Sequence, residues 1–230
     1  MAKENLTEQE KLQQEKVEEK VSAVEQFFNE NKKIIWSCLG AVIVIGLLIL
    51  CYIKFYVQPK SAEGQAQMYP AEASFRAGEY EKALNGDGNV LGFAQIAEEY
   101  GAKAGQSVFM YAGICELQLG NYENALKYLK QYNGKDEILA ARAIACQGDA
   151  YVGLEKYKEA VSCYEKAAGR VDNIFAASYL FKAGTVCEEL GDNNKALDFY
   201  KKIKDQYPQS IEAYDIDKYI SRIENAPKAE

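Results

Sequence analysis

The pattern of hydrophobic and polar residues divides the chain near residue 60. Before that point, residues 34–53 form a run of twenty residues without a charge. After it, apolar residues recur at the three- and four-residue spacing of amphipathic helices, and short stretches rich in glycine, asparagine and aspartate separate them. We therefore predict an all-α protein in which one long apolar helix precedes a domain of packed helices.

The apolar run has the length and the flanking residues of a transmembrane helix. With about 1.5 Å of rise per residue it would extend about 30 Å, the thickness of the hydrocarbon core of a bilayer. Trp36 lies near one end and Tyr52 near the other, as interfacial aromatic residues do. A signal peptide fits poorly, because the run is long and Leu50 stands where a lipoprotein cleavage box needs a small residue. We predict an uncleaved single-pass anchor over 34–56, with a buried soluble helix as the alternative.

The orientation of this anchor follows less directly from the sequence. Lysines flank both ends almost equally, so the positive-inside rule does not decide. A short tail ahead of a single anchor usually stays in the cytoplasm, and the larger domain is then translocated. The cysteines beyond the run favour the opposite orientation, since an oxidising compartment tends to pair them. We predict a cytoplasmic N-terminus and keep the reverse orientation open.

The N-terminal tail, residues 1–33, is predicted to be a charged amphipathic helix. Thr7 and Glu10 could form a capping box at its start. Apolar residues then recur along one face at helical spacing: Val17, Val21, Val24 and Phe28. Such a helix could bind a partner or self-associate, or it could be a solvated stalk, and both interpretations stay open.

Three segments beyond the anchor share one pattern, with a period of 35 and then 36 residues. They span 112–132, 147–167 and 183–203, and each predicts a helix, a tight turn and a second helix. Glycine recurs in the first helix, alanine at the start of the second, and leucine or tyrosine later in the second. The positions are Gly113, Gly148 and Gly184, then Ala125, Ala160 and Ala196, then Leu129, Tyr164 and Tyr200. Small residues allow close helix approach, and this period indicates stacked helical hairpins.

The joint pattern closely resembles the tetratricopeptide repeat. The matching residues are Gly148, Tyr151, Tyr157, Ala160, Tyr164 and Ala167, then Gly184, Leu190, Gly191, Ala196, Tyr200 and Pro208. The sequence departs from the repeat at Glu116 and Cys187, where an aromatic residue is usual. The resemblance implies a tetratricopeptide-type α-solenoid with three units over 106–208. It also implies a groove, lined by the first helix of each hairpin, that binds segments of other proteins.

The segments on either side of the three units complete the predicted domain. Residues 61–105 are predicted to be a degenerate first repeat, with Gly78, Tyr80 and Ala83 in register and about seven residues inserted. Residues 209–230 are predicted to contain a helix that covers the end of the stack, as terminal repeats must. Its apolar residues are Ile211, Ile216, Tyr219, Ile220 and Ile223.

The insertion, "ALNGDGNVLGF" over residues 83–93, has the composition of a ligand-binding loop. An EF-hand is disfavoured because Asp87 is its only carboxylate and Val90 stands where the loop needs glycine. A dinucleotide loop would need a further glycine at Leu91 and a preceding strand. We predict a bend that seats an extra helix, since Phe93 and Ile96 resume helical spacing immediately afterwards.

Positions in register with the groove of the repeat give the candidate binding residues. They are Met110, Ile114, Leu117, Arg142, Asp149, Phe181, Thr185 and Glu188, with Ser107, Gln118, Ala145, Val152, Ser178 and Glu189 beside them. This mixture of apolar and acidic groups predicts an amphipathic or partly basic ligand. The alternative for each residue is packing against the first or last helix. The Lys/Asn clamp for acidic peptide tails is missing. One of its positions is filled in the three units by Met110, Ala145 and Phe181.

Composition excludes several classes of function. The chain has no histidine, which removes Ser-His-Asp and Cys-His catalysis and every zinc site that uses histidine. A net charge of −7 argues against a nucleic-acid partner. The cysteines of the repeats, Cys115, Cys146, Cys163 and Cys187, lack metal-ligand spacing and are predicted to be buried small hydrophobic residues. We predict no enzyme, no metal and no cofactor.

The layout of the whole chain resembles that of a group of membrane-anchored proteins. The anchor together with "EEYGAKAG" (98–105), "YAGICELQLGNYENALKYL" (111–129) and "GDAYV" (148–152) resembles the membrane-anchored tetratricopeptide proteins of the Bacteroidota. These are similar in layout to the YfgM type. That resemblance implies an inner-membrane protein with a periplasmic repeat domain, and translocon components, a periplasmic chaperone or secretory clients as partners. The alternative is a scaffold of an envelope assembly that forms homo-oligomers through its tail and apolar helix.

Overall fold

The computed structural model describes residues 8–225, without the side chains of residues 8–26, 28 and 29. The described residues form helices and the turns between them, with no strand in this range. The chain divides into two compact units, Met1–Gln58 and Pro59–Glu230. The prediction of an all-α protein is therefore confirmed.

The first unit consists of a single long helical region. Helix α1 runs from Glu8 to Tyr52, and a π-helical segment follows at Ile53–Val57. One stretch within Glu30–Arg76 is long and apolar enough to cross a membrane, and none of its most apolar window is buried. The predicted capping box at Thr7 and the predicted apolar stripe of the tail both lie outside the described side chains.

The second unit contains ten α-helices within the described range. They are α2 (Gln58–Arg76), α3 (Tyr80–Asn85), α4 (Phe93–Glu99), α5 (Ser107–Gln118), α6 (Tyr122–Leu129), α7 (Glu137–Gly153), α8 (Tyr157–Ala168), α9 (Ile174–Glu189), α10 (Asn193–Gln206) and α11 (Ile211–Glu224). A short 3-10 helix, Gly101–Ala104, precedes α5. Helices α5 to α10 form three consecutive hairpins, and each second helix also packs on the first helix of the next hairpin.

The turn inside each hairpin has the same backbone form. Gly120 and Gly191 take the left-handed conformation with φ of 79° and 74°, and Glu155 takes it at the equivalent place with φ of 58°. In each turn the next residue donates its N–H to the carbonyl five positions earlier, at 2.8 Å. This is the bond that closes a Schellman cap, and it ends the first helix within one residue. The repeat therefore fixes where each hairpin reverses.

The recurring glycines allow the two helices of each hairpin to touch. A Cβ added at these glycines would lie 2.4–2.6 Å from a side-chain atom of the second helix. The three pairs are Gly113–Leu129, Gly148–Tyr164 and Gly184–Tyr200. All three large partners are buried, with at most 2% of their surface exposed. The predicted close approach is confirmed, and in each hairpin the large residue packs on the glycine of the same hairpin.

The glycine-rich insertion is a bend, as predicted. Gly86 and Gly88 have φ of 77° and 87°. Between them, the Asp87 carboxylate accepts the backbone N–H groups of Asn89 and Val90 at 3.0 and 3.1 Å. This Asx turn redirects the chain into α4. Helix α4 then buries Phe93 and Ile96 completely in the core beneath the first hairpins.

The aromatic side chains of this region hold α2 against the stack. The Phe75 ring of α2 meets the rings of Tyr80, Phe93 and Tyr111 with centroids 5.0–6.2 Å apart. Edge-to-face contacts of this kind add to the burial of apolar area. Helix α2 thus shares a core with the inserted helix and with α5.

Helix α11 covers the last hairpin, packing on α9 and α10. Ile216 and Ile220 are buried, and Tyr219 and Ile223 are half-buried against the same core. The prediction of a capping helix is confirmed. It was wrong for Ile211, which is 91% exposed, because Ile211 lies on the face of α11 opposite to Ile216 and Ile220.

Candidate protein-binding groove

A groove of about 370 Å³ lies across the first helices of the three hairpins, α5, α7 and α9. Four of the eight candidate binding residues line it: Ile114, Leu117, Arg142 and Asp149. Of the neighbouring candidates, Gln118, Ala145 and Ser178 also line it, whereas Ser107, Val152 and Glu189 do not. The structure thus places these side chains of α5, α7 and α9 along one groove, and their role in protein binding stays a prediction.

The other four candidates lie elsewhere, and their placement corrects the prediction. Met110 is only 5% exposed and packs in a core cluster beneath the groove, with Ile114 and Ala143. The Thr185 hydroxyl donates to the carbonyl of Lys182 at 2.9 Å, one helical turn earlier, and does not line the groove.

The last two candidates, Phe181 and Glu188, contact the capping helix α11. The Phe181 ring lies 4.9 Å, centroid to centroid, from the Tyr219 ring of α11, in an edge-to-face contact. Both Glu188 carboxylate oxygens accept from Arg222 of α11 at 2.7 Å, and one also accepts from the Tyr200 hydroxyl at 2.6 Å. The alternative of packing against the last helix is therefore the correct one for Phe181 and Glu188.

Three exposed apolar residues that the repeat register did not predict also line the groove. Ile138, Leu139 and Phe175 are 44%, 36% and 49% exposed. They sit in the first turns of α7 and α9, where the side chains of Asp136 and Asn173 accept N–H groups as N-caps. Leu139 and Phe175 are 36 residues apart, the spacing of the repeat itself. A large apolar residue in the first turn after an N-cap, present at the repeat spacing in the second and third hairpins, was the signal that could have found them.

Asp149 forms the polar centre of the groove. Its carboxylate accepts from the Tyr164 hydroxyl at 2.7 Å and from the Lys182 ammonium at 2.7 and 2.9 Å. Burial, and then the charge of Asp149, raises the pKa of the Tyr164 hydroxyl, so this group stays protonated and donates. The three side chains belong to α7, α8 and α9, and the network therefore ties one hairpin to the next.

Arg142, unlike Asp149, has no ion-pair partner among the described residues. Its side chain is exposed in the groove, and no carboxylate of the described residues forms an ion pair with it. Because Lys182 offsets Asp149, the charged groups that line the groove leave one uncompensated positive charge, on Arg142. An arginine in such a place can still form a bidentate bond with a carboxylate.

Two segments of the chain match family profiles that share one description. Residues 107–135 and residues 147–211 each match a profile described as tetratricopeptide repeat. The chain contains tetratricopeptide repeats. The first segment contains the hairpin of α5 and α6, and the second contains the end of α7 and helices α8 to α10, while residues 137–146 of α7 lie between them. The groove is formed by the first helices of the three hairpins.

Solved structures agree with this assignment at the level of the fold. The tetratricopeptide domain is similar to "Crystal structure of MamA", with a TM-score of 0.50 and 18% identity over 66% of this chain and 91% of that chain. It is similar to "MamA RS-1 ArsTM double mutant", with a TM-score of 0.50 and 17% identity over 77% of this chain and 86% of that chain. At this identity the likeness shows the fold alone. No curated protein matches the chain in sequence.

The cysteines of the tetratricopeptide domain behave mainly as small apolar residues. Cys115, Cys163 and Cys187 are buried, which confirms that part of the prediction. Cys146 is only partly buried and lines the groove beside Asp149. Burial, and then the charge of Asp149, raises the pKa of the Cys146 thiol to about 11, so it remains a neutral thiol at physiological pH.

Proposed function

We propose that this protein is a membrane-anchored, non-enzymatic interaction module whose groove binds a segment of another protein. The observation that carries the proposal is the set of exposed apolar side chains, Ile138, Leu139 and Phe175, that are collected in one groove of the domain. Exposed apolar surface collected in a concave site is typical of binding surfaces. Tetratricopeptide domains commonly act by binding other proteins, which supports the same conclusion.

The long apolar helix supports the proposed location. In this proposal residues 34–56 cross the inner membrane, residues 1–33 stay in the cytoplasm, and the domain after residue 60 lies in the periplasm. An exposed apolar stretch of this length would be costly in water and is stable in a bilayer. Anchoring would hold the groove close to the membrane and raise the local concentration of partners there. Translocon components, a periplasmic chaperone and secretory clients are the partners that this placement favours.

A matched pair of leucine substitutions tests whether the groove carries the binding. Leu139 lines the groove and is 36% exposed, whereas Leu190 lines a separate cleft with Lys158 and is 40% exposed. The wild-type protein and the two variants, Leu139→Asp and Leu190→Asp, would each be purified as full chains from crosslinked membranes. Co-purifying proteins would be quantified by mass spectrometry. Circular dichroism would establish that both variants retain their helices.

The two variants are expected to differ strongly. The substitution replaces an apolar side chain in the groove with a charged one that would have to be desolvated against the partner, so we expect at least about a tenfold loss of the co-purifying partner. Leu190→Asp should leave the partner's yield within about twofold of the wild type. Equal yields from all three proteins would contradict groove binding and would favour the alternative of a scaffold that associates through its tail and apolar helix.

A further inference from the structure

We infer that the groove selects a partner segment that carries an acidic side chain flanked by large apolar side chains, with Arg142 binding its carboxylate. This inference rests on the proposed function and names the chemistry of the partner at the same site. It differs from the ligand predicted from the sequence, which was amphipathic or partly basic.

The first step concerns the acidic residues that had suggested a basic ligand. The Asp149 carboxylate accepts three hydrogen bonds, one from Tyr164 and two from Lys182, and Lys182 offsets its charge. Glu188 is bound by Tyr200 and Arg222, away from the groove. Glu189 does not line the groove. The structure thus leaves no free carboxylate among the described residues of the groove lining to attract a basic side chain.

The second step concerns the remaining positive charge. Arg142 is exposed and has no ion-pair partner among the residues that the structure describes. On the α2 side, burial and the charge of Glu72 raise the pKa of the Tyr111 hydroxyl, while Arg76 and Arg142 lower it. A basic segment would bring like charge towards Arg142. A carboxylate would form the charge-assisted, bidentate pair for which the guanidinium has the matching geometry.

The third step concerns what lies on either side of Arg142. Ile138 precedes it by four residues on α7, so the two side chains share one face of the helix. Ile114 and Leu117 line the groove from α5, and Phe175 lines it from α9. A ligand whose carboxylate reaches Arg142 would therefore place its flanking side chains against apolar surface contributed by both neighbouring hairpins. This fits an acidic side chain between large apolar ones.

Three labelled synthetic peptides of equal length would test this specificity. The first has two glutamates between leucine and phenylalanine, the second has lysines in place of the glutamates, and the third has serines in place of the leucine and phenylalanine. Binding would be measured by fluorescence anisotropy to the full chain in nanodiscs of zwitterionic lipid, so that the bilayer contributes no net charge. We expect the first peptide to bind at least about tenfold more tightly than either of the others.

A matched pair of cation substitutions would locate the carboxylate. Arg142→Ala should weaken the first peptide by about tenfold or more. Lys166→Ala, which makes the same change in net charge in a separate surface cleft beside Cys163, should leave its affinity within about twofold. Raising the ionic strength should weaken binding of the first peptide to the wild-type protein. The effect on Arg142→Ala should be much smaller, because this variant lacks the salt-sensitive ion pair.

Several outcomes would overturn the inference. These are equal effects of the two substitutions, tighter binding of the lysine peptide, or no binding of any of the three peptides. Failure of the inference is distinguishable from failure of the proposed function. If Leu139→Asp removes the cellular partner while Arg142→Ala changes no binding, the groove binds a protein segment but does not read its charge. If neither substitution has an effect, the groove is not the binding site.

Discussion

Replacing Tyr200 with alanine is expected to lower the free energy of unfolding by about 3–5 kcal/mol, the usual cost of truncating a buried aromatic side chain. Tyr200 has no exposed surface and packs directly on Gly184 of its own hairpin. Its ring also lies within 5.5–5.8 Å, centroid to centroid, of the rings of Phe181 and Tyr219. Truncation therefore opens a cavity where α9, α10 and α11 meet, and a urea titration followed by circular dichroism would measure the loss.

The conservative substitution Tyr200→Phe separates ring packing from hydrogen bonding. It removes only the hydroxyl that donates to Glu188 at 2.6 Å, and Glu188 keeps its two bonds from Arg222. We expect a loss of about 1 kcal/mol, the net worth of one hydrogen bond. If the two substitutions cost the same, the ring is not the element that holds the end of the stack together.

Replacing Ile216 with alanine is expected to cost about 2–5 kcal/mol, whereas the same substitution at Ile211 should change stability by no more than about 0.5 kcal/mol. Both residues belong to α11 and have the same chemistry. They differ in burial, because Ile216 is 1% exposed and Ile211 is 91% exposed. The first substitution leaves a cavity in the core against α9 and α10, and the second removes atoms that already face solvent.

The same urea titration would measure both isoleucine variants. A matched loss at the two positions would contradict the packing of α11 described above, since it would mean that the first turn is buried or that the helix does not cap the domain. A near-zero effect at both positions would mean that α11 does not dock on the last hairpin. The predicted difference of at least about 1.5 kcal/mol therefore tests the cap with an internal control.

The fold could be predicted because its determinants repeat within the sequence. Gly184 and Tyr200 occur at the same offset as Gly148 and Tyr164, and the structure brings each pair into direct contact. A small residue facing a large one is a local rule that holds within a single hairpin. Periodicity was therefore sufficient to identify the three hairpins and their order, whereas the capping helix was predicted from its own apolar residues and from the need to cover the last hairpin.

The groove was less predictable, because its composition depends on contacts between units. Phe181 and Glu188 occupy groove positions by register, yet α11 covers the first and binds the second through Arg222. Asp149 lies in the groove, but Lys182 of the following hairpin offsets its charge. A repeat register describes one unit at a time and cannot show which charged groups are paired by the next. That is why the sequence predicted an amphipathic or partly basic ligand, whereas the paired carboxylates lead us to propose an acidic one.

The unpredicted residues of the groove also have a physical explanation. Leu139 and Phe175 lie in the first turns of α7 and α9, just after the N-caps. The periodic pattern of the helix interior does not yet constrain the side chain there. An apolar residue there is not needed to bury the hairpin, as its exposure shows. Its occurrence one repeat apart is what the proposed contact with a ligand would explain.

Site-specific photo-crosslinking in living cells tests the central claim most directly. A photoreactive residue would replace Phe175 in the groove or, as the control, Leu190 in the separate cleft beside Lys158, both in the full chain. Adducts would then be identified by mass spectrometry. Groove binding predicts a defined protein adduct at Phe175 and none at Leu190. Adducts at neither position, or the same adducts at both, would contradict it.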